Sequence, residues 1–343
     1  MSDDRPGLLE GAVPPEENTK LFGHEAAEDF LAQSYRSGRG HHAILIEGLE
    51  GIGKATLAFR FANHVLSHPD PQRAPGRLAD PDPASAVSRQ IASGASHNLL
   101  YLSRPVDEKT GRVKSAITVD EVRRAGRFFA QTSGTGGWRI VIIDPADDMN
   151  RNAANAILKI LEEPPKRAFF LVLSHAPGKL LPTIRSRCLQ LRLSPLDKSA
   201  LVNALAHLEV DASGNEALLA VARGSVSEAL TLLNYGGAEI IEAYRQVIEA
   251  NGPAARRAMH RLADALSAKD SDTIFGFFTS HVGNDVMERA RAAALGGGIA
   301  YADRLARLHA DINERLAVAQ AYNLDRKQTI LSVLGELKQQ LSC

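Results

Sequence analysis

The residues best suited to chemistry are Gly48-Leu-Glu-Gly51-Ile-Gly53-Lys54-Ala55-Thr56, a glycine-rich run between an apolar segment and a helix-forming one. In such a loop the glycines let the backbone approach a phosphate, successive amides cradle its oxygens, and a lysine meets the β- and γ-phosphates. The residue after the lysine should carry a hydroxyl for Mg²⁺, and here it is Ala55. Thr56 lies about 100° further round a helix and cannot simply replace it. A second run, Ile140-Val-Ile-Ile-Asp144-Pro145-Ala146-Asp147, ends an apolar strand in Asp144, where nucleotide hydrolases hold Mg²⁺ through water. Such enzymes follow that Asp with a Glu that aligns or deprotonates the attacking water, and Pro145 offers no base. The bland alternatives are a glycine-rich turn with a solvated Lys54, and an Asp-Pro turn in which Asp147 and Asp148 cap a helix.

A third pair of segments is Leu161-Glu-Glu-Pro-Pro165 and Thr183-Ile-Arg185-Ser186-Arg187-Cys188. Taken alone, Arg187 reads as a surface ion-pair partner and Cys188 as a small buried residue.

The elements that must position these residues follow from periodicity. Leu21–Ser37 has helical spacing, Ala43–Ile46 is a short buried strand, and Ala55–Leu66 is a helix after the loop. Ser67–Ser88 holds Pro69, Pro71, Pro75, Pro81 and Pro83 with almost no hydrophobic period, which predicts a flexible surface insertion over residues 67–90. Strands are expected at 98–103, 138–143 and 168–174, and helices at 118–132, 150–163 (stopped by Pro164-Pro165) and 180–187. Strands alternating with helices mean a parallel α/β sheet. Beyond Pro195 strand signals vanish. Short helices are expected at 197–206, 215–222 and 227–233, with a hinge at Gly236-Gly237. An Ala/Leu/Arg-rich helical region follows, broken at Gly252-Pro253, Gly283-Asn284 and Gly296–Gly298. The expected class is α/β then all-α: residues 1–195, a small helical piece at 196–236 and a helical domain at 237–343.

Composition narrows the function. Forty Lys plus Arg balance 40 Asp plus Glu, so no whole-protein field would hold the chain on nucleic acid or an anionic membrane. Aromatics make up 5%, with Trp138 the single tryptophan, too few for a dedicated single-strand stacking platform. Cys188 and Cys343 alone cannot build a four-thiolate zinc site, and His68 and His97 are scattered. With no apolar run of about 18 residues and an acidic, proline-rich start, the expectation is a reduced cytoplasmic protein, neither exported nor membrane-spanning. Arg123, Arg124 and Arg127, at helical spacing, read as a solvated face.

The run Asn155 to Pro165 followed by Ser186-Arg187-Cys188 resembles the AAA+ clamp-loader subunits of bacterial DNA polymerase III. The resemblance extends through Leu21-Phe-Gly-His24, His42-Ala43, the phosphate loop, Ser96-His97 and Thr118–Arg123, over roughly residues 20 to 235. It implies a RecA-like sheet domain, a helical lid and a C-terminal collar. It also implies that Arg187, framed by Ser186 and Cys188, is an arginine finger acting on a neighbouring subunit's ATP. Within that family the resemblance points to the branch whose own ATP site has decayed. Gly48, Gly51, Gly53, Lys54, Thr56 and Asp144 remain of the nucleotide site. Ala55 has lost the hydroxyl, Pro145 the catalytic Glu, and Ser227 stands where motor subunits carry a sensor arginine. Ser174 or His175 occupies the first sensor position. The implied partners are tau/gamma-type motor subunits, a delta subunit and, through the complex, the sliding clamp and primer-template DNA. No cofactor is required, the four-Cys zinc module of many members is absent from 68–90, and ATP or ADP has room to bind without hydrolysis. The competing reading is a catalytically active P-loop ATPase using Lys54, Asp144 and Thr56, which requires the hydroxyl and carboxylate that Ala55 and Pro145 lack.

Overall fold

A computed structural model of the chain describes residues 7–38, 40–107, 110–130, 137–269 and 271–341, without the side chains of 216 and 217. The final positions of the helix expected over 118–132, and Cys343, lie outside the described residues. Two compact units are present, Met1–Ala229 and Leu230–Cys343.

The first unit runs α1 (Glu25–Arg36), β1 (Ala43–Glu47), α2 (Lys54–Ser67), α3 (Ala86–Ala92), β2 (Leu99–Leu102), α4 (Val119–Ala130), β3 (Arg139–Ile143), α5 (Arg151–Glu162), β4 (Ala168–Ser174), α6 (Pro182–Arg185), β5 (Leu189–Arg192), α7 (Lys198–His207), α8 (Glu216–Ala222) and the start of α9 (Val226–Asn234). The strands form one parallel sheet in the order β2-β3-β4-β1-β5. Parallel strands joined by helical crossovers are covered on both faces, which is why β1, β3 and β4 are buried throughout and apolar except at one end each, where Glu47, Arg139 and Ser174 stand. Ile44, Ile46, Ile140, Ile142 and Leu171 pack against α1 and α2. Leu45, Val141, Ile143, Phe170 and Val172 pack against α4, α5 and α6. Asn150 starts α5 by accepting from the Ala153 amide at 2.9 Å, and Pro164-Pro165 follow its end. The α/β expectation is met.

Three details differ from the sequence reading. Strand β5 was not expected: Leu189 and Leu191 alternate with Gln190 and Arg192 over only four residues at the sheet edge, too short a period-2 pattern to stand out. The segment after α2, although proline-rich and without hydrophobic period, packs against the core. Ala74 and Leu78 are buried with Phe61 and Val65, the Tyr35 hydroxyl donates to the His68 carbonyl at 2.5 Å, and Trp138 Nε1 donates to the Pro69 carbonyl at 3.0 Å. Buried Arg60 ties the segment further, pairing with Asp80 at 2.9 Å and Glu28 at 2.7 Å. Prolines remove helical periodicity but do not prevent two apolar side chains from anchoring a loop.

The third difference lies in the second unit, which contains α10 (Gly237–Glu249), α11 (Gly252–Leu266), α12 (Asp272–Leu295), α13 (Ile299–Ala321) and α14 (Arg326–Leu341) around one apolar core. No turn occurs at Gly283-Asn284, because α12 runs straight through it. A Cβ on Gly283 would lie 3.4 Å from His309 of α13, so the glycine serves close helix packing instead of a break. The breaks at Gly252 and at Gly296–Gly298 are present.

Candidate functional site

The glycine-rich loop joins the C-terminal end of β1 to the N-terminus of α2, where helix dipole and free amides favour an anion. It is braced from several sides. His24 Nε2 donates to the Ile52 carbonyl at 2.7 Å, and Leu21 packs so closely that a Cβ on Gly53 would stand 2.7 Å from its Cδ1. Gly51, at φ +74°, is covered by the residues just before and within α9. There the Ser225 hydroxyl donates to the Glu50 carbonyl at 2.8 Å and the Val226 amide to the Gly51 carbonyl at 2.9 Å. Ser227 sits against Gly51, with 2.5 Å between its Cβ and the place a Gly51 Cβ would occupy.

Lys54 is buried, and its ammonium donates to the Gly48 and Leu49 carbonyls at 2.8 and 2.5 Å. Burial lowers its pKa to about 8, opposed by Asp144, Glu50 and Asp147. Asp144 accepts from the Tyr101 hydroxyl at 2.9 Å, and burial raises its carboxyl above the usual range while Tyr101 and Lys54 pull it back. Asp147 is not a helix cap: it accepts from the Ser174 hydroxyl at 2.8 Å and the His175 and Ala176 amides at 2.6 and 3.3 Å, closing the end of β4. Asp148 pairs with Arg104 at 3.2 Å. Burial, with Lys54, Arg104 and Lys179 nearby, lowers the His175 ring to about 3, and its Nδ1 is buried without a partner. The structure thus brings Gly48, Gly51, Gly53, Lys54 and Asp144 to one end of the sheet. Ala55 and Thr56 follow in the first turn of α2, where Thr56 is buried. The donor set suits phosphate, whereas Ala55 and Pro145 supply neither hydroxyl nor base. Tyr101 and Ser225 carried no local signal, since each meets its partner only through the fold.

Arg187 lies elsewhere. It follows α6 and precedes Leu189, which pairs with Ile44 near the start of β1, whereas the phosphate loop begins at Gly48 beyond the other end of that strand. At about 3.3 Å per residue, at least ~13 Å of strand separates the two levels. The Arg187 guanidinium is part exposed, bonded through Nη2 to Glu162 at 2.7 Å and donating through Nη1 to the Thr183 carbonyl at 2.9 Å. Ser186 caps the same turn at 3.2 Å, and Cys188 is buried, its thiol pushed up to about 12. On α4, Arg123 and Arg124 pair with Asp120 and Glu121 one turn away. No His/Cys/Asp/Glu group able to hold a metal occurs among the described residues, and no described helix is long and apolar enough to cross a membrane.

The family model for the DNA polymerase III delta subunit matches residues 23–197. The chain belongs to that family. It is 36% identical over 214 residues to DNA polymerase III subunit delta-prime of Pseudomonas aeruginosa, covering 61% of this chain and 60% of that one. It is 34% identical over 206 residues to the Escherichia coli delta-prime subunit, covering 59% and 57% of the two chains. The E. coli tau subunit matches at 31% over 224 residues, 64% of this chain and 32% of tau. The matched region spans about 60% of the delta-prime relatives' length. Among solved structures, a gamma-subunit-related protein from Thermotoga maritima superposes with a TM-score of 0.40 at 18% identity, over 92% of this chain and 98% of that one.

Proposed function

We propose that this chain is a delta-prime-type subunit of the DNA polymerase III clamp loader. In this reading it turns over no ATP itself and supplies Arg187 in trans to a neighbouring motor subunit while the sliding clamp is loaded onto primed DNA. The observation that carries the reading is the position of Arg187. Standing beside the N-terminal end of β5, it is a strand length away from the chain's own phosphate loop, which supports a role on a phosphate held outside this chain. A guanidinium placed in trans on a transferring phosphate contributes about 10³ to 10⁵ in rate.

The loop supports the other half of the reading. Ala55 and Pro145 offer neither the metal hydroxyl nor the base, and Ser227, which lies against Gly51, stands where the resemblance implies a sensor arginine in motor subunits. ATP or ADP would be held by the loop amides around Gly48, Gly51 and Gly53 with Lys54 on its phosphates, contributing charge neutralisation and rigidity but no turnover. Helices α10–α14 serve as the collar that joins tau/gamma-type motor subunits and a delta subunit, and the clamp and primer-template DNA are engaged through the assembly.

The test is Arg187→Ala in the reconstituted complex. DNA- and clamp-stimulated turnover should fall steeply while assembly persists, and turnover equal to wild type would remove Arg187 from the mechanism.

A further inference from the structure

We propose that Glu162 is a positioning residue for Arg187, holding the guanidinium where it can meet a phosphate on the neighbouring subunit. The inference rests on the finger reading above. Arg187 has a fixed backbone, its amide bonding the Ile184 carbonyl at 3.1 Å, but an arginine side chain carries large rotamer freedom that would be lost on engaging a partner. Two contacts remove that freedom in advance: Nη2 to Glu162 Oε1 at 2.7 Å, and Nη1 to the Thr183 carbonyl at 2.9 Å. The guanidinium keeps further N–H donors for a phosphate.

The backbone that carries Glu162 is held in place. It is the last residue of α5, preceded by buried Leu161 and followed closely by Pro164-Pro165. His42, just before β1, donates through Nε2 to the Leu161 carbonyl at 3.0 Å, tying the end of α5 to the start of the central strand. The Glu-Glu-Pro-Pro and Ser-Arg-Cys segments, about 25 residues apart in sequence, thereby meet through this ion pair. The bridge contributes little to folding, because its side chains are 35% and 49% exposed and screened by water. Its consequence is orientation.

The experiment uses the complex reconstituted with motor and delta subunits, comparing ATP turnover for Glu162→Ala, Glu162→Gln, Arg187→Ala and the double variant Glu162→Ala/Arg187→Ala. Misplacing a reacting group by about 1 Å costs on the order of 10²-fold, so Glu162→Ala should lower kcat by about 10- to 100-fold with KM for ATP little changed. Glu162→Gln retains an acceptor oxygen and should stay within about threefold of wild type. The double variant should be no slower than Arg187→Ala alone, because Glu162 acts through that side chain. The urea midpoint of Glu162→Ala should match wild type, and a large loss there would assign the bridge to folding and overturn the proposal. Wild-type turnover in Glu162→Ala beside depressed turnover in Arg187→Ala would overturn the positioning role and leave the finger standing. Wild-type turnover in Arg187→Ala would overturn both. Equal losses in the Ala and Gln variants, or a double variant well below Arg187→Ala, would mean that Glu162 acts by its charge or on its own, which also overturns the proposal.

Discussion

Gly51→Ala should be among the most damaging small substitutions in the first unit. The new Cβ would sit 2.4 Å from Ser225 Oγ and 2.5 Å from Ser227 Cβ, at a backbone φ of +74°. A left-handed conformation costs a non-glycine residue about 1–2 kcal/mol. Overpacking adds about 1–3 kcal/mol. The Ser225–Val226 segment cannot retreat freely, because it is held by the hydrogen bonds to the Glu50 and Gly51 carbonyls, each contributing about 1 kcal/mol. A net loss of about 3 kcal/mol follows. Trp138, the single tryptophan, packs against Phe169 with ring centroids 4.8 Å apart and so reports on this unit in urea titrations. With a slope of about 2 kcal/mol per molar urea, the midpoint should drop by about 1.5 M. Adding Ser227→Gly should return part of it. A midpoint within about 0.3 M of wild type would refute the contact between loop and covering segment.

Leu78→Ala should cost about 2–4 kcal/mol by the same probe, because Leu78 is buried in the core; a loss under about 0.5 kcal/mol would restore the picture of a loose insertion. His64 is buried between Tyr35 and His68, and burial first, then His68, lowers its pKa to about 4. Its folded pKa lies below the unfolded value near 6.5, so the stability it contributes is complete above pH 6.5 and lost as pH falls toward about 4. Between pH 7.5 and 5.0 the wild type should therefore lose about 1–2 kcal/mol more than His64→Leu, and equal losses would contradict the assignment. The purified chain should turn over Mg-ATP no faster than its Lys54→Ala variant, and combining Ala55→Ser with Pro145→Glu should restore slow hydrolysis at most. Turnover that vanishes with Lys54 would establish a working site.

The parts of the fold legible in the sequence are those whose signal is local. Strands β1, β3 and β4 are apolar on both faces because the sheet is covered on both, and the glycine loop announces itself by spacing. Elements whose meaning depends on a distant neighbour were hidden. Strand β5 needs β1 beside it, and Gly283 reads as a turn until His309 is seen against it. Ala74 and Leu78 look like loop residues until the core closes over them. The candidate site divides in the same way. Lys54, Asp144 and Arg187 stood out by type and motif, but the Tyr101 hydroxyl on Asp144, the Ser225 hydroxyl over the loop and the Glu162 carboxylate on Arg187 are tertiary contacts.

The central claim is that this chain acts on a neighbour's phosphate and not on its own. Its most direct test is stimulated ATP turnover of the assembled complex carrying either Lys54→Ala or Arg187→Ala in this subunit. The account predicts near-wild-type turnover with Lys54→Ala and a steep loss with Arg187→Ala. A steep loss with Lys54→Ala and none with Arg187→Ala would contradict it.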